Sequence, residues 1–135
     1  MTVTLLAQFV NQSFINVETY RKNGVAVKTP VWFYQDGENF YIRTGPESGK
    51  VKRIRHNASV QIAPSRMNGA LLGSWIAGKA HLITNKAEDD RINRLFSKKY
   101  GIQKALFDAA GKLSGRSLIA VTIVVQPELQ PTSQS

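Results

Sequence analysis

The first third of the chain alternates apolar and polar residues with a period of two, which is the pattern of half-buried β-strands. Three such runs cover residues 13–21, 25–35 and 39–44. Asn23-Gly24 and Asp36-Gly37 separate them, and both pairs favour the positive φ angles of tight hairpin turns. The pattern therefore predicts three antiparallel strands in a meander.

Three further strands follow in the remainder of the chain. The predicted fourth strand covers residues 58–63 and is expected to end at Pro64, because proline disrupts a ladder. The fifth covers residues 75–84. The last, residues 117–126, is apolar on both sides, which predicts a central position in the sheet.

Helical signals lie between these strands. Residues 50–57 form a short basic segment that Ser48 can cap. A longer helix begins after Asn85, where Glu88 completes a capping pattern, and Gly101 can close it. Residues 102–110 are predicted to form a further helix.

These elements and the composition together predict the fold class. A length of 135 residues with 42% hydrophobic residues fits one domain, which we place at residues 1–126 and follow with a flexible tail at 127–135. We predict a mainly β protein: a small barrel of six or more mostly antiparallel strands with two to three short helices. A doubly wound parallel fold is disfavoured because strands and helices alternate only late in the chain.

Charge and residue content narrow the function. Eighteen Lys and Arg against nine Asp and Glu give a net charge of +9, which favours an anionic partner such as a nucleic acid, an acidic membrane surface or a phosphorylated small molecule. The absence of cysteine excludes disulfides, thiolate catalysis and iron–sulfur clusters. The most apolar stretch, residues 118–125, is far shorter than the ~20 residues needed to span a bilayer, and no targeting segment is visible. We expect a cytoplasmic protein.

Side-chain catalysis has little support in the sequence. His56 and His81 have no acidic residue at a helical or strand spacing, so no metal site or catalytic pair is predicted. Asp89 and Asp90 are adjacent on a helix and complement its positive end rather than forming a catalytic pair. Nucleophile elbows, Walker loops and dinucleotide fingerprints are absent from the sequence.

The most informative stretch is residues 43–52, where a strand ends at Thr44 and a basic helix begins after Ser48. A helix N-terminus with a hydroxyl and lysines is suited to bind phosphate. A solvated basic helix that caps the barrel explains the same residues equally well. Nucleic acid is a third reading and ranks lower, because the strands lack an aromatic RNA-binding signature.

Pro30 is unusual because it interrupts a run of good β-formers. Proline cannot donate to a ladder, so the strand lies at an edge, contains a bulge or faces a ligand. Trp32 and Trp75 offer flat surfaces for an aromatic ring, and core packing is the commoner use of tryptophan.

Three segments of the chain resemble the pyridoxamine 5'-phosphate oxidase-like split β-barrel flavoproteins. They are Lys28-Thr29-Pro30-Val31-Trp32-Phe33, Phe40-Tyr41-Ile42-Arg43-Thr44 and Ser48-Gly49-Lys50-Val51-Lys52-Arg53-Ile54. Within this family the sequence is most similar to the small deazaflavin (coenzyme F420)-dependent oxidoreductases. The resemblance extends from about Phe14 to Val125 and includes Trp75-x-x-Gly78-x-Ala80.

The resemblance implies a homodimer with F420 or FMN in a cleft at the subunit interface. The strand implied to lie along the cofactor ring carries Lys28, Thr29, Pro30, Val31 and Trp32. The implied phosphate-binding residues are Thr44, Ser48, Gly49 and Lys50, with Arg43 and Lys52 as supporting cations. Trp75 is implied to approach the ring from the other subunit.

The implied activity is that of an oxidoreductase, in which hydride passes between the cofactor and a small organic acceptor. The chain lacks the C-terminal arginine-bearing motif of true pyridoxamine phosphate oxidases, so vitamin B6 oxidation is not expected. The alternatives are a flavin-binding carrier or sensor without turnover and a basic nucleic-acid-binding barrel.

Overall fold

The computed structural model describes residues 2–45, 48–101 and 119–125. Its three helices are α1 (Thr2–Ala7), α2 (Gly49–His56) and α3 (Lys86–Tyr100). Its seven strands are β1 (Phe14–Tyr20), β2 (Ala26–Trp32), β3 (Tyr34–Asp36), β4 (Asn39–Thr44), β5 (Ser59–Ser65), β6 (Ile76–Leu82) and β7 (Ile119–Val125). The predicted helix at 102–110 and the predicted tail at 127–135 lie outside the described residues.

The strands form one antiparallel sheet in the order β2-β1-β5-β6-β7-β4-β3. β2 ends at Trp32 on one edge of this sheet, and β3 begins at Tyr34 on the other edge. Because only Phe33 separates them, the two edges must come together at this point, and the sheet curls into a half-barrel. The prediction of a mainly β, antiparallel barrel is confirmed.

The predicted three-stranded meander is wrong. The hairpins β1–β2 and β3–β4 both form, and Gly24 and Gly37 in their turns have φ angles of 86° and 62°. However, residues 25–35 form two strands on opposite edges rather than one strand between two neighbours. The break occurs at the fully buried Phe33, whose backbone N–H and C=O bond to the hydroxyl of Tyr100 instead of to a strand.

The predicted end of a strand at Pro64 is also wrong, since Pro64 lies inside β5 opposite Ile15 of β1. The pairing of β5 with β6 stops at Ile62, and at Pro64 the second side of the strand meets a loop, where the N–H of Leu72 donates to the Pro64 carbonyl. Proline is tolerated at such an edge position. β7 lies between β6 and β4, which confirms its predicted central place.

The inner face of the sheet holds the main core, with Ile15, Val17, Ile42, Ile62 and Ile123 fully buried. Helix α1, which the pattern did not predict, leads to the buried Phe9, whose ring packs edge-on against Phe33 and Phe40. A second core cluster lies on the outer face, where α3 packs on Tyr41 of β4 and Ala120 of β7. Among the described helices, none has the length and hydropathy needed to cross a bilayer.

Candidate functional site

The turn between β4 and α2 brings two hydroxyls together at the start of a helix. The Oγ atoms of Thr44 and Ser48 are 3.1 Å apart, and Thr44 is only 8% exposed. Ser48 caps α2, since its Oγ accepts a hydrogen bond of 3.2 Å from the N–H of Val51. The structure therefore gathers Thr44, Ser48, Gly49 and Lys50 at one helix N-terminus.

Lys50 lies in the first turn of α2 and is 9% exposed. Burial lowers the pKa of its ammonium, and the positive charge of Arg53 lowers it further. In the described part of the chain, no carboxylate forms an ion pair with Lys50. A buried ammonium without a counter-charge is unfavourable, so this position is suited to an anion supplied from outside.

The backbone of the same turn offers further donors. The first intrahelical bond is donated by Lys52 to the carbonyl of Ser48, and the amide of Val51 is taken by the cap. The amides of Gly49 and Lys50 are then those that an α-helix leaves without an internal partner. Together with the positive end of the helix dipole they fit a phosphate group.

Arg53 belongs to this site, although the sequence prediction did not include it among the cofactor-binding residues. Its Nε donates a hydrogen bond of 2.6 Å to Thr19 Oγ1 on β1. A Cβ at Gly49 would lie 2.7 Å from the terminal nitrogen of Arg53, so glycine lets the guanidinium lie against the first turn. The signal in the sequence was the spacing of four residues, which places Gly49 and Arg53 on one helix face.

Lys52 is exposed and lines a shallow groove of about 230 Å³ beside α2. The groove lies between α2 and the end of the β1–β2 hairpin. Its lining residues are Tyr20, Arg21, Lys22, Lys52, Arg53 and His56.

The predicted ring-facing strand, β2, is an edge strand. In the β1–β2 hairpin the N–H of Arg21 donates to the carbonyl of Val25, so these two residues form a hydrogen-bonded pair. Hydrogen-bonded and non-hydrogen-bonded pairs alternate along an antiparallel ladder, and by this count Asn16 and Pro30 form a non-hydrogen-bonded pair. The nitrogen of Pro30 then faces the open edge, where no ladder donor is needed. The carbonyls of Lys28 and Pro30 face the same edge.

The side chains of β2 divide between the two faces of the sheet. Val31 packs against the main core, and Thr29 is opposite Val17, with a buried Oγ1 that has no hydrogen-bond partner among the described residues. Lys28 is on the other face, 3.9 Å from Glu18, and its ammonium lies 5.6 Å from the centre of the Trp75 ring. The structure therefore brings Lys28 and Trp75 together within one chain.

Two predicted site residues are engaged elsewhere. Trp32 stacks on Tyr100 of α3, with ring centres 4.4 Å apart and planes 11° apart, which is the packing alternative for this tryptophan. Arg43 and Thr44 are neighbours in β4, so their side chains point to opposite faces of the sheet. The guanidinium of Arg43 forms an ion pair of 3.6 Å with the carboxylate of Asp89 on α3. This ion pair places the guanidinium of Arg43 beside α3.

The two histidines lie on different elements of the fold. His56 and His81 are both exposed, His56 at the end of α2 and His81 on β6. Across residues 2–45, 48–101 and 119–125, no group of three or more His, Asp or Glu side chains could hold a metal ion.

Similar solved structures support the fold assignment. A protein related to general stress protein 26, of the pyridoxinephosphate oxidase family, from Clostridium acetobutylicum is 14% identical with a TM-score of 0.66, covering 91% of this chain and 82% of that one. The heme storage protein HutZ from Vibrio cholerae is 11% identical with a TM-score of 0.67, covering 93% and 88%. A FAD-binding protein from Mesorhizobium loti is 12% identical with a TM-score of 0.64, covering 93% and 88%.

Sequence comparison assigns the family. No curated protein sequence is significantly similar to the chain. The family model described as pyridoxamine 5'-phosphate oxidase matches residues 3–125, which include every strand of the barrel and the β4–α2 turn. The chain therefore belongs to the pyridoxamine 5'-phosphate oxidase family.

Proposed function

We propose that this protein binds a flavin or deazaflavin, FMN or coenzyme F420, with the cofactor phosphate at the β4–α2 turn. We further propose that it is an oxidoreductase, which transfers hydride between that cofactor and a small organic acceptor. Homodimerisation, with the cofactor at the subunit interface, is part of the proposal. Membership of the family and a FAD-binding protein among the similar structures support a flavin-type ligand.

The observation that carries the proposal is Lys50. This lysine is 9% exposed and has no acidic partner among the described residues, yet it sits in the first turn of a capped helix. A bound phosphate would supply the missing counter-charge and accept from the free amides of the same turn. A helix that only caps the barrel has no need of this buried charge.

The chain's residues bind and orient, while a bound flavin or deazaflavin would supply the ring that carries hydride. Lys50 and the amides of Gly49 and Lys50 would hold the phosphate, with Arg53 adding positive charge. The edge of β2 would face the ring with the carbonyls of Lys28 and Pro30, which can accept from ring N–H groups. Trp75, held near Lys28, would shield one side of the ring from water.

A binding protein without turnover is the second candidate. One similar structure is a heme storage protein, so this fold also serves proteins named for binding.

The test is a fluorescence titration of the purified protein with FMN and with F420, using Lys50→Met beside the wild type. We expect Lys50→Met to weaken binding of the preferred cofactor by about 1–3 kcal/mol, the contribution of a charge-assisted contact. Lys98→Met removes an equal charge from an exposed position in the last turn of α3 and is expected to leave affinity unchanged. Equal affinities for wild type and Lys50→Met would show that the cofactor phosphate does not bind at this turn.

Turnover separates the two candidate functions. The protein loaded with the reduced cofactor would be mixed, without oxygen, with a panel of quinone, nitro-aromatic and tetrapyrrole acceptors while the cofactor absorbance is followed. Catalytic reoxidation of the reduced cofactor by one acceptor class supports the oxidoreductase. Tight binding without reoxidation by any of them favours the carrier.

A further inference from the structure

Lys99 is an exposed residue whose amino group is held at the point where the barrel closes. It lies in the last turn of α3, and its Nζ donates a hydrogen bond of 2.8 Å to the carbonyl of Phe33, the residue that separates β2 from β3. The same nitrogen lies 3.7 Å from the centre of the Phe33 ring and 5.1 Å from the centre of the Tyr100 ring. The amino group therefore has a defined position between one carbonyl and two aromatic rings.

The charge of Lys99 lacks an acidic partner in the part of the chain that the structure describes. The charged and titratable groups of the adjoining elements are Lys98 and Tyr100 on α3 and Tyr34 and Asp36 on β3. Burial raises the pKa of Tyr100, so this phenol stays neutral near pH 8. The charge on Lys99 is therefore left without a compensating negative charge from these groups.

The surroundings of the amino group favour its uncharged form. Burial lowers the pKa of Lys99 to about 8 from the ordinary 10.5. A substantial fraction of Lys99 is then an uncharged amine near neutral pH, and the uncharged amine is the form of lysine that acts as a nucleophile. Such an amine can keep one N–H on the Phe33 carbonyl while its lone pair remains available.

Two other lysines show why exposure matters as well. Burial also lowers the pKa of Lys50, but this side chain is 9% exposed and would be covered by the phosphate in the proposed function. Lys98 is exposed and precedes Lys99 in the same turn, but it has no hydrogen bond or ion pair among the described residues. Lys99 combines a held, partly desolvated amino group with access from solvent.

We propose that Lys99 is a preferred site of acylation by activated acyl donors, the class that includes acyl phosphates and acyl thioesters. The uncharged amine attacks the acyl carbon and a C–N bond forms. The bond to the phosphate or thiolate breaks, the leaving group takes the electron pair, and the amine proton passes to water. The inference is independent of the proposed function, since Lys99 and Phe33 belong neither to the β4–α2 turn nor to β2.

The product would change the charge at the closing point of the barrel. An amide is neutral, so acylation removes both the positive charge and its contact with the aromatic rings. One N–H remains on the nitrogen and can still donate to the Phe33 carbonyl. The modification would therefore act on the junction between β2 and β3 without removing every hydrogen bond there.

The experiment treats the purified full chain with acetyl phosphate at about pH 7.5. Mass spectrometry of the peptides follows the initial rate at each lysine, with fragmentation to distinguish Lys98 from Lys99. The matched variants are Lys99→Arg and Lys98→Arg, each of which keeps the positive charge and removes one acceptor of the acetyl group. A parallel reaction in guanidinium chloride measures the same lysines in the unfolded chain.

We expect acetylation at Lys99 to be about tenfold faster than at Lys98, because the lowered pKa raises the uncharged fraction while lower basicity offsets part of the gain. Lys99→Arg should remove most of the early product, and Lys98→Arg should leave it unchanged. The preference should shrink as the pH approaches about 10.4, where ordinary lysines lose their proton. It should disappear in guanidinium chloride.

Three results would overturn the inference. Equal rates at Lys98 and Lys99 in the folded chain would show that the contacts with Phe33 do not activate the amine. A preference for Lys99 that persists in guanidinium chloride would assign the reactivity to neighbouring residues in the sequence rather than to the fold. Faster acetylation of Lys50 than of Lys99 would show that exposure does not select the site.

Discussion

Helices α2 and α3 pack on the same sheet, but they differ in whether their charged side chains form ion pairs. On α3, Arg91 pairs with Glu88, Lys86 with Asp90, and Asp89 with Arg43 of β4. On α2, no ion pair forms among the described residues, although the helix contains Lys50, Lys52, Arg53 and Arg55.

The difference separates structure from function. The ion pair of Asp89 with Arg43 and the buried rings of Phe96 and Tyr100 attach α3 to the outer face of the barrel, while the other two ion pairs lie within the helix. The charges of α2 include the buried Lys50, which forms no ion pair that would attach the helix to the described part of the chain. The net charge of +9 could not tell these helices apart, because what distinguishes a binding site is positive charge without a local partner.

The largest expected effect tests the structural role of α3. Phe96→Ala removes a ring that is 2% exposed and stacks on Tyr100, and it should lower the free energy of unfolding by about 3–5 kcal/mol. Urea denaturation measures this, with the exposed Ser97→Ala as a control expected to change little. Cofactor affinity of the folded variant should stay at the wild-type value. Weaker cofactor binding with unchanged stability would contradict the structural role of α3 and indicate a role in binding instead.

A smaller effect is expected from the ion pair between α3 and β4. Asp89→Ala removes the acidic residue that pairs with Arg43, whose side chain is only 14% exposed, and should lower the free energy of unfolding by about 1–2 kcal/mol. Asp90→Ala breaks the exposed pair with Lys86 and should cost less than about 0.5 kcal/mol. Equal losses in the two variants would show that the burial of Arg43 does not matter.

On α2, a substitution is expected to raise the free energy of unfolding rather than lower it. Lys50→Met removes a buried charge that Arg53 repels, so the free energy of unfolding of the cofactor-free protein should rise by about 1 kcal/mol. A rise in stability with a loss of cofactor affinity is expected of a residue kept for binding. Destabilisation by Lys50→Met would instead indicate that this charge has an internal partner and would remove the contrast between the helices.

The smallest effect concerns Lys99 in the last turn of α3. Lys99 donates to the carbonyl of Phe33 at 2.8 Å, and burial lowers its pKa to about 8 from the ordinary 10.5. Between these values the unfolded chain binds more protons than the folded one, so the stability contribution of Lys99 should rise as pH increases from about 8. Urea midpoints from pH 7.5 to 9.5 should rise less with pH in Lys99→Met than in the wild type. Parallel curves would contradict the lowered pKa.

Much of the local structure could be predicted. Alternation predicted both hairpins, and Asn-Gly and Asp-Gly placed their turns, because the conformations involved depend on neighbouring residues only. Ser48 and Asn85 cap α2 and α3 as predicted, with side-chain bonds of 3.2 and 3.0 Å to the helix amides. The β4–α2 turn is local in the same sense, so its hydroxyls and Lys50 could be proposed together from the sequence.

The rest depended on contacts between distant segments. The meander prediction failed because Phe33 bonds to Tyr100 of α3, and that contact sends β2 and β3 to opposite edges of the sheet. The pairing of Arg43 with Asp89 and the contact of Arg53 with Thr19 likewise join residues far apart in the chain. Periodicity shows which face of a strand is apolar, but only the tertiary fold decides which charges are buried and which of them have a partner. The pattern of residues therefore located most of the strands, both hairpin turns, the helix caps and the total charge, and the folded chain decided where that charge lacks a partner.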